Sequence, residues 1–176
     1  MSGVDQDFAD FVAQNSPRLV TIARLMCGDR HLAEDLVQGA LARCYLKWAR
    51  ISGDHEPFAY VRQAVVNGYL SRLRTRPWLE RSMAEPEERA WPDDTAAVDV
   101  RLVLHKALAT LSPRQKAVIV LRYFEDLTER ETAVALGVSI GTVKSTAHQA
   151  LARMRIDPDV GGLVTLRSTS VEGELS

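Results

Sequence analysis

The stretch Glu131–Arg155, ETAVALGVSIGTVKSTAHQALARMR, gathers the side chains with the clearest chemical use in the chain. Thr142, Lys144, Ser145, His148 and Gln149 face outward near the start of its second helix, short or hydrogen-bonding groups able to reach base edges and phosphates. Arg153 and Arg155, a turn later, suit phosphates. This is the chemistry of recognition rather than of bond making. The chain has no GxSxG, P-loop or GxGxxG, and His31, His55, His105 and His148 are scattered without ligand spacing. Cys27 and Cys44 lack a CxxC and are expected to be small apolar core residues. Catalysis, a metal site and a cofactor therefore have no candidate residues.

A formal net charge of -1 over 176 residues seems to argue against a polyanionic partner. Charge by segment removes the objection. Residues 60–81 carry five basic and one acidic side chains, and residues 101–156 nine and four. The intervening residues 82–100 carry one and six. Two basic blocks are diluted by an acidic middle and an acidic tail, and such blocks are an electrostatic footprint for nucleic acid. A hydrophobic content of 46% supports packed cores. The N-terminal residues MSGVDQDFAD resemble no signal peptide, and no run approaches the roughly 18 to 20 apolar residues that span a membrane, so the expected location is the cytoplasm, with no membrane partner.

The elements that must position these side chains read as helices throughout. Phe8, Phe11 and Val12 fit a short helix, and Ser16-Pro17 reads as the N-cap and first turn of a second, ending near Gly28. Asp29 caps an amphipathic helix of about twenty residues through Leu32, Leu36, Val37, Ala40, Leu41, Cys44, Tyr45 and Trp48. A polar loop over residues 49–57 precedes a helix from Phe58 to Leu73 that becomes basic toward SRLRTR. Pro77 stops it, and PWLERSMAEPEERAWPDDT reads as a linker. Periodicity returns at Val98, Leu102, Val103, Leu104, Ala107 and Leu108. Ser112-Pro113-Arg114-Gln115 and Thr128-Glu129-Arg130-Glu131 are capping boxes. The first opens a helix continuing through Leu121 and Arg122. The second opens one that buries Ala133, Val134 and Leu136 and stops at Gly137, after which Ser139 caps a helix over 141–154 with Val143, Ala147, Ala150, Leu151 and Met154 inward. Two helices about a glycine turn have helix-turn-helix spacing; a plain helical hairpin is the alternative.

Leu111–Ser145, LSPRQKAVIVLRYFEDLTERETAVALGVSIGTVKS, and Gly28–Trp48, GDRHLAEDLVQGALARCYLKW, resemble the extracytoplasmic-function, or group 4, sigma factors of the sigma-70 family. AYVR at Ala59–Arg62 and the Val66-Asn67 pair look closest to the sigma-E-like subfamily. The resemblance covers about residues 5–156. It implies an all-α fold of two small helical domains, a sigma-2 bundle and a sigma-4 helix-turn-helix, joined by an acidic linker. The boundaries expected are 5–77 for the first, 78–97 for the linker, 98–156 for the second and 157–176 for the tail.

The resemblance also implies roles. Asp35 and Gln38 would dock the beta-prime clamp helices of core RNA polymerase, with the beta flap as a further contact. Arg62, Asn67, Arg72, Arg74 and Arg76 would recognise and melt the minus-ten element, with the loop ISGDHE cradling a flipped base. Thr142, Lys144, Ser145, His148, Gln149 and Arg153 would read the minus-thirty-five element. The partners are then core polymerase, promoter DNA and, as a further candidate, an anti-sigma factor. The chain departs from the family pattern at Gly39, where Glu is usual, and at Gln63, where Arg is frequent. The linker, Trp78–Ala97, reaches about 70 Å extended and roughly 25 Å as a free coil, so two elements nearly two turns apart need the polymerase to hold it out. The tail reads as a flexible end, with packing over the basic surfaces as the other option. The expected function is a sigma factor and not an enzyme; a stand-alone helix-turn-helix regulator and a helical protein-interaction module are the competing readings.

Overall fold

The computed structural model describes residues 3–53, 56–75 and 104–156, and of residues 155 and 156 the backbone alone. The linker, the tail, Arg76, Val98, Leu102 and Val103 lie outside the described residues, as do Asp54 and His55 of the expected base-cradling loop. Among the described residues every regular element is helical.

Helix α1 runs unbroken from Gly3 to Cys27 with Pro17 inside it, so Ser16 is not the N-cap the sequence suggests. Proline has no N–H for the Ala13 carbonyl and ordinarily breaks a helix interior. Packing on both sides of it prevails here. Before it, the Phe8 and Phe11 rings lie 5.0 and 4.7 Å from the Trp48 ring, and the Trp48 indole N–H donates to Asp7 at 2.8 Å. After it, Leu19, Ile22, Ala23 and Met26 are buried. Asn15 Nδ2 donates to the Phe11 carbonyl and Thr21 Oγ1 to the Pro17 carbonyl, each at 2.9 Å.

Gly28, at φ 78, turns the chain, and the Asp29 carboxylate caps α2, Arg30–Tyr45. The expected twenty-residue helix ends there, and part of the expected polar loop is a separate short helix, α3, Trp48–Ile51. Trp48 and Ile51 are both buried, which is what folds this turn inward. Helix α4 spans Pro57–Thr75 and buries Val61, Val65, Val66 and Tyr69. Cys27 and Cys44 are free and buried, and burial pushes the Cys27 thiol up to about 12, leaving an inert core residue.

The second group comprises α5 (104–109), α6 (Pro113–Ile119), α7 (Glu129–Leu136) and α8 (Ile140–Ile156). Both capping boxes form as expected. Leu121 and Arg122 do not continue α6 as an α-helix. They belong to a π-helical turn, Val120–Phe124, closed by the Glu125 N–H donating to the Val120 carbonyl at 3.1 Å. The two small helical domains do not stand apart: α1 packs on α6 and the π-turn, α4 packs on α6 and α7, and the buried apolar side chains of both form one cluster.

Candidate nucleic-acid interface

The helix-turn-helix is assembled by caps that act within a few residues. Thr128 and Glu131 satisfy each other's backbone at the start of α7, and the bonds from Thr128 hold the Glu131 carboxyl below its ordinary value. Gly137, at φ 62, ends α7 in the left-handed region. The Ser139 hydroxyl accepts the Thr142 N–H at 3.1 Å and starts α8. Val143, Ala150 and Met154 are buried and fix the rotation of α8, with Ala147 and Leu151 packed beside them. Val134, expected inside, is instead 68% exposed, because Thr132, Ala133, Ala135 and Leu136 take the inner face of α7.

That rotation leaves Lys144, Ser145, His148, Gln149 and Arg153 exposed, as the apolar spacing suggested. Thr142 is half-buried, and its hydroxyl lies 2.9 Å from that of Ser139, so it braces the helix start. Lys144 Nζ is 3.5 Å from the Glu129 carboxylate, with the lysine side chain 62% exposed. Such a surface pair is weak and releases the ammonium readily.

On α4 the candidates divide between two sides. Asn67 and Arg74 are exposed and Arg72 is half-buried. Asn67, Gly68, Ser71, Arg72 and Thr75 line one wall of a groove of about 600 Å³, and Arg43 of α2 lines the other. Among the described residues no carboxylate lines it. Arg43 is a candidate that the sequence reading missed; the signal was a pair of glycines, Gly39 and Gly68, where an added Cβ would come within 3.5 and 3.3 Å of its guanidinium. Arg62 points elsewhere. Its guanidinium meets the Glu125 carboxylate at 3.1 Å, with the two side chains 11% and 4% exposed. Arg18 of α1 holds the same carboxylate through two bonds of 3.1 and 3.0 Å. Arg62 is thus not displayed to solvent as Asn67 and Arg74 are.

Residues 11–79 match the family model Sigma-70 region 2, and residues 101–154 match Sigma-70, region 4. The RNA polymerase sigma-E factor of Streptomyces coelicolor is 38% identical over 154 residues, covering 85% of this chain and 84% of the relative. The chain belongs to the sigma-70 family of RNA polymerase sigma factors. It is an extracytoplasmic-function member of that family: the ECF RNA polymerase sigma factor SigL of Mycobacterium tuberculosis is 31% identical over 137 residues, covering 74% of this chain and 77% of the relative. The sigma factor RpoE of Bartonella quintana, solved in complex with the anti-sigma factor NepR, superposes with a TM-score of 0.69 at 25% identity, covering 85% of this chain and 95% of that one.

A sigma factor must also present a face to the polymerase. In this sigma factor Asp35 and Gln38 are exposed one turn apart on α2. Gln38 borders an apolar groove of about 400 Å³ between α1 and α2, lined by Phe8, Val12, Val20, Val37 and Leu41. Gly39, beside it, is a half-buried helical residue with ordinary space around a Cβ. Among the described residues no helix is long and apolar enough to cross a membrane.

Proposed function

We propose that this sigma factor docks core RNA polymerase through the α2 face of Asp35 and Gln38, on the beta-prime clamp helices, and reads promoters with two surfaces. Helix α8 takes the minus-thirty-five element through Lys144, Ser145, His148, Gln149 and Arg153, with Thr142 bracing it. Helix α4 takes the minus-ten element through Asn67, Arg72 and Arg74, joined by Arg62 and Arg76. The domain limits follow this division: 5–77, a linker over 78–97, 98–156 with a further contact on the beta flap, and a tail over 157–176. The protein works in the cytoplasm with the polymerase and is itself no enzyme. The Bartonella relative is solved with an anti-sigma factor, and we extend that class of partner to this chain.

The observation that carries the reading is the coupling, in one chain, of a capped helix-turn-helix with an exposed polar face to an N-terminal domain bearing a basic groove. A stand-alone regulator needs a dimerising or ligand-binding module in place of that N-terminal domain. The test is run-off transcription from a genomic promoter library with purified core polymerase. Sigma-dependent transcripts are expected; a duplex footprint without polymerase and no transcripts would sink the reading. Lys144→Ala and His148→Ala should change the preferred upstream element, while Asp35→Ala should lower polymerase affinity and leave promoter choice intact.

A further inference from the structure

Helix α2 carries an arginine near each end, and the two stand in different surroundings. Arg30 Nε meets the carboxylate of Glu34, four residues on, at 2.8 Å. Around Arg43 the positions three and four away along the chain are Gly39, Ala40, Leu46 and Lys47, so no carboxylate of its own segment is within reach. Among the described residues the cations in ion pairs are Arg18, Arg30, Arg62 and Lys144, and Arg43 makes none.

The Arg43 guanidinium is seated instead on two glycines. A Cβ added at Gly39 would lie 3.5 Å from Nη1, and one added at Gly68 of α4 would lie 3.3 Å from Nη2. Glycine is costly inside a helix, and two of them here leave space for one cation. That space opens on the groove between α2 and α4, where Arg43 stands opposite Asn67, Ser71 and the half-buried Arg72. Two guanidiniums with a hydroxyl and an amide between them form a donor-rich cleft, the chemistry that holds a phosphate. Tyr60, 36% exposed, lies on the same stripe of α4, four residues before Ala64 of the groove. Its ring can stack an unpaired base, whereas the bases of a duplex are already stacked on one another.

We infer that Arg43, although carried by the polymerase-docking helix, binds a phosphate of the unpaired minus-ten strand, and that glycine at position 39 is what leaves it free to do so. The inference rests on the assignment of α4 to the minus-ten element. Position 39 is also where the chain departs from the usual Glu of the family. A glutamate there would stand four residues before Arg43, the favourable order for a helical ion pair, and would compete with the phosphate for the guanidinium. The two glycines thus join one arginine of α2 to the DNA-facing groove of α4.

The test uses holoenzyme assembled with core polymerase and a promoter recovered by run-off selection. The promoter is prepared once with its minus-ten segment unpaired and once cross-linked across that segment so that it stays paired. On the unpaired form Arg43→Gln should weaken binding about ten-fold, the scale of one charged hydrogen-bonding contact. The plot of log affinity against log salt should become shallower by about 0.7, the share of one phosphate on a single strand. Arg43→Lys keeps the charge, and should keep the slope and recover part of the affinity. Gly39→Glu should weaken binding about two-fold, a loss that Gly39→Gln does not share. Affinity for core polymerase and for the cross-linked promoter should match the parent. An equal loss on the cross-linked promoter, or a loss confined to core polymerase, would overturn the inference. So would a folded Arg43→Gln variant with parent affinity and slope. Parent protein that never yields transcripts refutes the sigma assignment, and the inference with it; active holoenzyme whose salt slope ignores Arg43→Gln refutes the inference alone.

Discussion

Helix α8 shows Lys144, Ser145, His148, Gln149 and Arg153 to solvent, whereas α4 shows Asn67 and Arg74 and turns Arg62 into the seam against Glu125. Both are amphipathic helices in basic segments, and we propose DNA contacts for both. The difference lies in the range of the interactions that orient them. The face of α8 is set by Thr128, Glu131, Gly137 and Ser139, each acting on backbone within about a turn. The availability of Arg62 is set by Glu125, 63 residues away in sequence. A face fixed locally is ready as soon as its helix forms; a face fixed at long range can be regulated.

The severest way to break this comparison is to remove the core both faces share. Leu121 is fully buried in the π-turn, where α1 meets the second domain. Leu121→Ala should cost about 2 to 5 kcal/mol. Urea unfolding followed by helical circular dichroism should show one transition at lower denaturant. Two separated transitions would mean that the domains fold independently and that the seam is only an encounter.

Next in size is a change that strikes α8 and spares α4. Gly137→Ala has open space for its Cβ, yet its φ of 62 remains strained for a residue with a side chain. The expected loss is about 1 to 2 kcal/mol. Protection of the upstream promoter element by holoenzyme should weaken, while single-stranded DNA binding at α4 stays at the parent level. Equal damage to both would show that the α8 face is not locally determined.

The same contrast explains what was legible in the sequence. Both capping boxes, the glycine stop and the outward residues of α8 were readable because each signal and its consequence lie within a helical turn. Pro17 misled for the opposite reason: its local meaning is a helix start, and Trp48 with Asp7, 41 residues away from it, keeps α1 continuous. Val134 misled because a short amphipathic window fits more than one rotation, and contact with α4 and α8 decides between them. Glu125 sits in an EDLT stretch with no feature that announces Arg18 and Arg62 as its partners. The groove at Arg43 was half-visible, since glycines in helices at 39 and 68 are costly unless something approaches closely.

A smaller effect tests that point on α2. At Gly39 the nearest atom to an added Cβ is the flexible end of Arg43 at 3.5 Å, an ordinary contact. Gly39→Ala should stabilise the protein by about 0.4 to 1 kcal/mol through the unfolded chain. Gly68→Ala is tighter, at 3.3 Å from Arg43 and 3.6 Å from Leu36, and should gain less or lose. Melting temperatures compare them; an equal gain at both sites would show that the glycine notch does not hold the arginine.

The smallest effect expected is a dependence on pH at the same seam. His105 of α5 is buried, and its imidazole bonds the Arg24 backbone of α1. Burial foremost, then the charge of Arg24 and lastly that of Lys116, lower its pKa from the ordinary 6.5, against the opposing pull of the Arg24 bond. The folded chain therefore favours the neutral ring, and its contribution is complete above the ordinary value. As pH falls through that value the unfolded chain takes up the proton first, and stability is lost until the lower folded-state pKa is reached. Glu131, also lowered, acts only below its ordinary 4.5, so the two windows separate. Melting at about pH 7.5 and about pH 5.5 should show the parent less stable at the lower pH. His105→Gln should flatten that difference while leaving the α8 face unchanged. A parent that grows more stable on acidification would mean that the bond to Arg24 outweighs burial, and that the seam is tightened rather than loosened by acid.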